Sequence, residues 1–289
     1  MKITNRHGLP DPLVRAVAWS DRDREGCDYT VTELLRPARI AALERKHADE
    51  LEEDASDRIW ALMGSAGHEV LRRSAQAGFA EERAIAEVLG KKVGGQIDYC
   101  KDSIWDYKFT SVWAVKDGPR KEWEDQLNCY RWLALQYGVH IEKLTIVAIL
   151  RDWSKLEAGR DASYPQSQVK VFDLPLWSPE RALAFIEERI KVHEAAKETL
   201  PLCTSEETWE RPTKWAVVKR GATRAVKLYD TPQEASRHIL AAEDHRLLAE
   251  RRPGSHPRCA DYCSVSKFCE QYQEWKRTCS EALDSSGSH

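Results

Sequence analysis

Two aspartates and a lysine carry the densest chemistry in the chain: Asp98 in Gly95-Gln96-Ile97-Asp98-Tyr99, and Asp106 with Lys108 in Ile104-Trp105-Asp106-Tyr107-Lys108-Phe109. Both segments read as strands, and Lys101-Asp102-Ser103 reads as the turn between them. Such a turn pairs Cys100 with Ile104, sets Asp98 across from Asp106, and by period two puts Lys108 on the face of Asp106. Facing carboxylates repel one another, so the pair is costly unless a cation lies between them. Carboxylate oxygens suit Mg²⁺ or Mn²⁺, hard ions that keep several waters and also bind substrate phosphate. Lys108 then stands where it can steer or deprotonate an attacking water and stabilise charge building on a phosphoryl group. The plainer alternative is an exposed hairpin whose Asp and Lys form a surface ion pair.

The elements around the hairpin must position it. Upstream, Thr30-Val31-Thr32-Glu33 reads as a helix start with a capping box, and Glu33 to Arg73 as mostly helical with a charged, solvent-facing middle from Glu44 to Asp57. Glu81 to Leu89 reads as a short helix or an edge strand. Downstream, Glu122 to Gln136 has helical spacing and puts Gln126 and Tyr130 on one face. Leu144 to Leu150 and Val169 to Leu174 read as strands, and Ser178-Pro179 caps a helix running to about Glu198. Past Pro201 a hairpin of Trp215 to Lys219 and Ala225 to Tyr229 precedes a helix from Thr231-Pro232 to about Glu250.

The expected organisation is a loosely ordered arm over 1–28, an α/β core over 29–200, a hairpin–helix module with a cysteine cluster over 201–283, and a disordered tail over 284–289. The core is expected to hold a mixed sheet of four or five strands flanked by helices.

Composition fits a globular chain of 289 residues, 42% hydrophobic and 31% charged, whose formal charge of −3 excludes a polycationic nucleic-acid coat. Met1 to Pro10 lacks the apolar core of a signal peptide, and the longest apolar run, Ile146 to Leu150, is too short to span a bilayer, so no membrane partner and a cytoplasmic location are expected. In a reducing compartment the eight cysteines point to a metal or cluster site before a disulfide scaffold.

Four segments in order, GSAGHEVL, GGQIDYC, IWDYKFTS and WEDQLNCYRWL, give the chain from about residue 30 to 150 a resemblance to the RecB-like PD-(D/E)XK nucleases. The resemblance implies a restriction-endonuclease-like core. It also implies His68, Asp98 and Asp106 as Mg²⁺ or Mn²⁺ ligands, completed by the Tyr107 carbonyl, with Lys108 as the catalytic lysine. Gln126 and Tyr130 would contact the DNA strand. The activity implied is hydrolysis of DNA, as an exonuclease leaving 5′-phosphate. Glu69 lies beside His68 but points away around a helix, and Glu122, Glu124 and Asp125 read as solvated charges.

The spacing Cys259-x3-Cys263-x5-Cys269 is similar to the three-cysteine end of phage-encoded and CRISPR-associated exonucleases that carry a [4Fe–4S] cluster. It has one residue more in the first interval than those relatives, and the first helix lacks their upstream cysteine. Cys203 is the preferred fourth ligand and Cys27 the alternative; four thiolates also suit Zn²⁺. Cys100 and Cys129 read as core residues, and Cys279 as a free thiol. Trp113 and Trp123 are the candidates for stacking on bases, Trp105 and Trp132 for core packing. Lys116, Arg120 and Lys121 are candidate phosphate contacts, as are Lys214, Lys219, Arg220, Arg224 and Lys227 in the second hairpin. The other classes open to such a chain are an idle nucleic-acid-binding or assembly subunit and an iron–sulfur redox or sensor protein. The partners expected beside single- or double-stranded DNA ends are further copies of this chain, as a homo-oligomer, or a recombination or replication protein.

Overall fold

The computed structural model describes residues 2–18, 26–74 and 79–284. The chain divides into two compact units, Met1–Leu200 and Pro201–His289.

The first unit begins with β1 (Lys2–Thr4) and α1 (Asp11–Ala18), where the sequence predicts a loosely ordered arm. Strand β2 (Tyr29–Thr30) leads into α2 (Val31–Leu34), capped by Thr30 Oγ1 accepting from Glu33 N–H at 3.1 Å. The predicted run of helix then breaks. Pro37 starts α3 (Ala38–Lys46), and β3 (Glu52–Asp54) pairs in parallel with β1 before α4 (Ile59–Ser74). The charged middle is thus partly strand, because the buried Asp54 carboxylate takes hydrogen bonds from Thr4 Oγ1 and Arg6 N–H and ties the N-terminal segment down.

Next come β4 (Phe79–Val88), β5 (Lys91–Cys100), β6 (Ser103–Thr110), α5 (Lys121–Leu135), β7 (Lys143–Leu150), α6 (Lys155–Arg160), β8 (Val169–Leu174) and α7 (Pro179–Ala195). The sheet is mixed and has six strands, in the order β2-β5-β6-β7-β8 with β4 on β5. The strand beyond the expected four or five is β4, ten residues long and antiparallel to β5 along its whole length.

Strand β5 therefore spends one edge on β4. Its other edge is shared by β2, at Val93 and Gly94, and by β6, at Tyr99 and Cys100. The β5–β6 ladder ends after Tyr99↔Trp105, whereas β6 stays parallel to β7 over all eight residues. The two strands of the predicted hairpin thus fork apart just before Asp98 and Asp106.

Helices cover both faces. Tyr130 on α5 lies against Gly95, where the missing Cβ is required: an added methyl would stand 2.6 Å from the Tyr130 ring. On the opposite face α4 rests Gly67 on the Phe109 ring, where a methyl would come within 2.1 Å. The main core joins Ile104, Leu144, Ile146 and Ala148 of the sheet to Leu127 and Leu133 of α5 and Ile186 and Ile190 of α7. Burying each of these larger side chains contributes about 1.5–3 kcal/mol.

The second unit contains α8 (Ser205–Thr208), β9 (Lys214–Lys219), β10 (Ala225–Tyr229), α9 (Pro232–Ala242), β11 (Leu247–Arg252) and α10 (Glu270–Asp284). Its sheet runs β10-β9-β11, and Val217, Ala235 and Leu247 form a small core. The helix predicted to reach Glu250 stops at Ala242, followed by Glu243 in a left-handed conformation, and the next stretch pairs with β9 as β11. Pairing buries Leu247, which explains why strand wins there. The predicted tail over 284–289 lies, past Asp284, outside the described residues. Among the described residues no helix is long and apolar enough to cross a membrane.

Candidate functional site

The fork between β5 and β6 gathers the sequence-predicted residues. With no ladder partner across the fork, the Tyr107 backbone N–H donates to Asp98 Oδ2 at 2.9 Å. The same oxygen lies 3.2 Å from His68 Nδ1, which α4 brings in from the other face. Asp106 is only 2% exposed. Lys108 Nζ lies 2.7 Å from Asp106 Oδ2. That charged contact is the partner this buried oxygen has among the described residues.

Lys108 Nζ does donate to Gln126 Oε1 at 2.9 Å, and Gln126 Nε2 donates to the Tyr130 hydroxyl at 2.8 Å. Gln126 and Tyr130 are both buried, so their side chains orient Lys108 from beneath. The i, i+4 spacing on α5 makes that pair possible, and Gly95 leaves room for the ring.

Burial pushes the Asp106 carboxyl up to about 6; the Lys108 ammonium opposes this and the Asp98 charge adds to it. Burial alone would lower His68, but its hydrogen bond and ion pair with Asp98 outweigh that and hold the imidazole above its ordinary value. Burial also raises the Tyr130 phenol, keeping it neutral. Glu69 belongs elsewhere: Arg72 and Arg73 pair with it at 2.7 and 2.6 Å, and the Arg72 hydrogen bond leads in drawing it down to about 2.

A divalent ion fits the donors here in chemistry: two carboxylates, one of them fully buried, and an imidazole within reach of the other. In the geometry present, the positive charge beside those oxygens comes from Lys108 and His68. Among the described residues no group of three or more His, Cys, Asp or Glu stands in a metal-holding arrangement.

Several readings of the surroundings need correction. Asp125 is buried, not solvated, with Lys121 at 2.6 Å from Oδ2 and, among the described residues, no partner for Oδ1. Glu124 likewise accepts from Trp177 Nε1 at 2.7 Å. Trp123, expected to be a stacking residue, is 8% exposed and part of the core. Trp105, expected in the core, is 42% exposed, because α4 covers Phe109 on that face and leaves the start of β6 bare. Trp113 is 69% exposed with Lys116 over its ring, and Trp132 is buried. Sequence reasoning passed over Trp60, exposed on α4 with the Arg151 guanidinium 4.4 Å from its ring centre. In the second hairpin, Lys214 pairs with Asp230 and Lys227 lies over Tyr229.

The cysteines form no disulfide. Cys27, Cys100 and Cys129 are buried in the first unit, and Cys27 Sγ fills the space above Gly94. In the second unit Cys259 lies on a single π-helical turn (Arg258–Tyr262), and a short 3₁₀ turn (Ser266–Phe268) separates Cys263 from Cys269. Burial, with the neighbouring Cys263 and Cys269 thiols adding, pushes Cys259 up to about 11. Cys203 is tied to α10 by Gln271, whose side chain accepts from the Cys203 N–H and donates to its carbonyl, each at 2.8 Å.

No family model matches the chain, and no curated protein does. Five solved chains match. One of them, described as "Crystal structure of SSO0001", is 17% identical, covers 63% of this chain and 82% of its own, and superposes with a TM-score of 0.43. That likeness is too loose to carry an argument about fold family or activity, so the site's own geometry is what a functional reading has to stand on.

Proposed function

We propose that the chain is a metal-dependent DNA nuclease with a RecB-like PD-(D/E)XK core, acting as an exonuclease on linear ends. The carrying observation is Asp106: a carboxylate at 2% exposure, where the sheet forks, paired with Lys108 at 2.7 Å and close enough to Asp98 to feel its charge. Burying such a group costs several kcal/mol without compensation, and a purely structural ion pair would not need the second carboxylate.

In this reading Asp98, Asp106 and His68, with the Tyr107 carbonyl, hold Mg²⁺ or Mn²⁺. Such an ion, when bound, supplies Lewis-acid polarisation of a phosphodiester and a more acidic bound water. The chain's own residues do the rest. Lys108 presents its amine to the attacking water and to the anionic phosphate oxygens. Gln126 and Tyr130 act as positioning residues, because each is buried and reaches the reaction only through Lys108. The water's oxygen bonds to phosphorus and the bond to the 3′ oxygen breaks, so the product strand carries 5′-phosphate. Lys108 takes the water's proton only as its neutral amine, after its own proton has gone to solvent, and the 3′ oxygen leaves as a hydroxyl with a proton from solvent or from Lys108. The Cys203, Cys259, Cys263 and Cys269 set, as thiolates, suits a structural [4Fe–4S] cluster, or Zn²⁺ in its place.

The test is cleavage of end-labelled linear single- and double-stranded DNA, beside a closed circle, with Mg²⁺ or Mn²⁺ and with EDTA. Metal-dependent loss of the linear substrates, with the circle intact and with folded Asp106→Ala and Lys108→Ala lower on the order of 10³-fold, is the expected result. Folded, metal-supplied wild type that cuts none of these substrates overturns the reading and makes an idle DNA-binding subunit the leading account.

A further inference from the structure

A cleft of about 320 Å³ opens beside the fork, lined by His68, Arg72, Asp98, Tyr99, Trp105 and Tyr107. One end belongs to the site already described. The other end is aromatic and nothing in the site's chemistry uses it.

The aromatic wall follows from the register. Tyr99 and Trp105 are a directly opposed pair, the last before the strands part, so both rings stand on one face with centroids 6.0 Å apart. Trp105 Nε1–H donates to Ser103 Oγ at 3.0 Å, which fixes the ring's rotation while leaving it 42% exposed. An indole that is fixed by its own N–H, two-fifths exposed and lining a cleft beside a carboxylate is a poor core residue and a good stacking surface. Arg72 also lines the cleft, its guanidinium oriented by two hydrogen bonds to Glu69 at 2.7 and 2.8 Å.

We propose that this cleft is a base-binding subsite that stacks one unpaired nucleobase of a DNA strand on Trp105, with the Tyr99 ring, tilted 54° to the indole, closing on the base's edge, next to the phosphate handled at Asp98 and Asp106. The location of that phosphate rests on the nuclease reading above; the stacking does not. The volume is at the low end for a small-molecule site, enough for one ring system and its sugar and too small for a duplex. A paired base enters only after unstacking and unpairing, which costs a few kcal/mol and least for a base already single-stranded. The subsite therefore selects unpaired ends.

The experiment measures binding of a fluorescein-labelled short oligothymidylate, and of a blunt duplex of equal length, to the full chain in EDTA. Trp105→Ala is expected to weaken the single strand about tenfold, to leave the duplex nearly unchanged, and Trp105→Phe to recover most of the loss. The exposed position leaves the fold intact, which the thermal midpoint checks. A Trp105→Ala protein that binds the single strand as tightly as wild type, or loses both substrates equally, overturns the subsite. The two readings fail separately. Trp105-dependent binding in a wild type that never cleaves sinks the nuclease and leaves the subsite standing. Asp106-dependent cleavage with an unchanged KM in Trp105→Ala does the reverse.

Discussion

In the Met1–Leu200 unit, Asp98 and Asp106 sit where a continuous sheet opens, each strand still held on its outer edge by a full-length neighbour. In the Pro201–His289 unit, the thiols of Cys259 and Cys263 sit on a stretch made of one π turn and one 3₁₀ turn, outside any sheet. The first arrangement holds charge against repulsion by rigid backbone. The second is held by side chains: the Gln271 clamp on Cys203, Trp209 against Tyr262, and His256 stacked on Trp275 at 4.4 Å. A site built on regular strands keeps its geometry with nothing bound, whereas one built on turns depends on what its side chains grip.

The sharpest break of that contrast is functional. Asp106→Ala is expected to lower DNA cleavage on the order of 10³-fold. Cys263→Ala is expected to lower bound iron or zinc and the second unit's thermal midpoint, with cleavage per folded molecule nearly unchanged. Equal activity losses in both variants would mean that the cysteine segment takes part in the chemistry.

Next in size is Gly95→Ala, whose methyl would stand 2.6 Å from the Tyr130 ring and 3.0 Å from Leu133 Cδ1. Overpacking of this kind costs about 1–3 kcal/mol, and it also moves Tyr130 off Gln126. Chemical denaturation and cleavage rates should fall together; stability loss with full activity would remove the positioning role of Gln126 and Tyr130.

Gln271→Ala deletes two hydrogen bonds, about 1–2 kcal/mol in all, and only the second unit should feel it. Limited proteolysis of residues 201–284 reads this directly. Cleavage at those sites as slow as in wild type would show that the clamp contributes nothing.

An effect of similar size, confined to acid pH, concerns another buried titratable group in the first unit, His193, fully buried against Tyr29 and Arg189 with Nε2 3.2 Å from the Leu34 carbonyl. Burial, then the Arg189 charge, lowers it from 6.5 to about 4. The unfolded chain therefore binds a proton between those values that the folded chain refuses. Stability is fully present above 6.5 and declines as pH falls through this window, on the order of 1–2 kcal/mol after allowing for screening. His193→Phe should flatten that stretch of the thermal-midpoint profile; an unchanged slope would assign the acid sensitivity to other groups.

Local patterns carried much of this. Alternation and a short polar turn were enough to place Cys100 opposite Ile104, but the direct pairing of Asp98 with Asp106 expected from that register does not form, because the ladder stops at Tyr99↔Trp105 and Asp98 accepts from the Tyr107 N–H instead. Helical spacing likewise put Gln126 and Tyr130 on one face, and Ser178-Pro179 marked the start of α7. These features depend on residues within a few positions of one another, so a linear sequence contains them.

What the tertiary structure alone decided is who covers whom. Lys108 turns toward Gln126, Trp123 is buried and Trp105 bare, and Glu52–Asp54 is a strand because β1 lies beside it. The end of the β5–β6 ladder at Tyr99 is equally non-local, since β2, β4 and β7 hold the outer edges between which the fork opens. Each of these outcomes rests on burial against an element distant in the chain, and burial is a property of the packed pair, not of either segment's own residues.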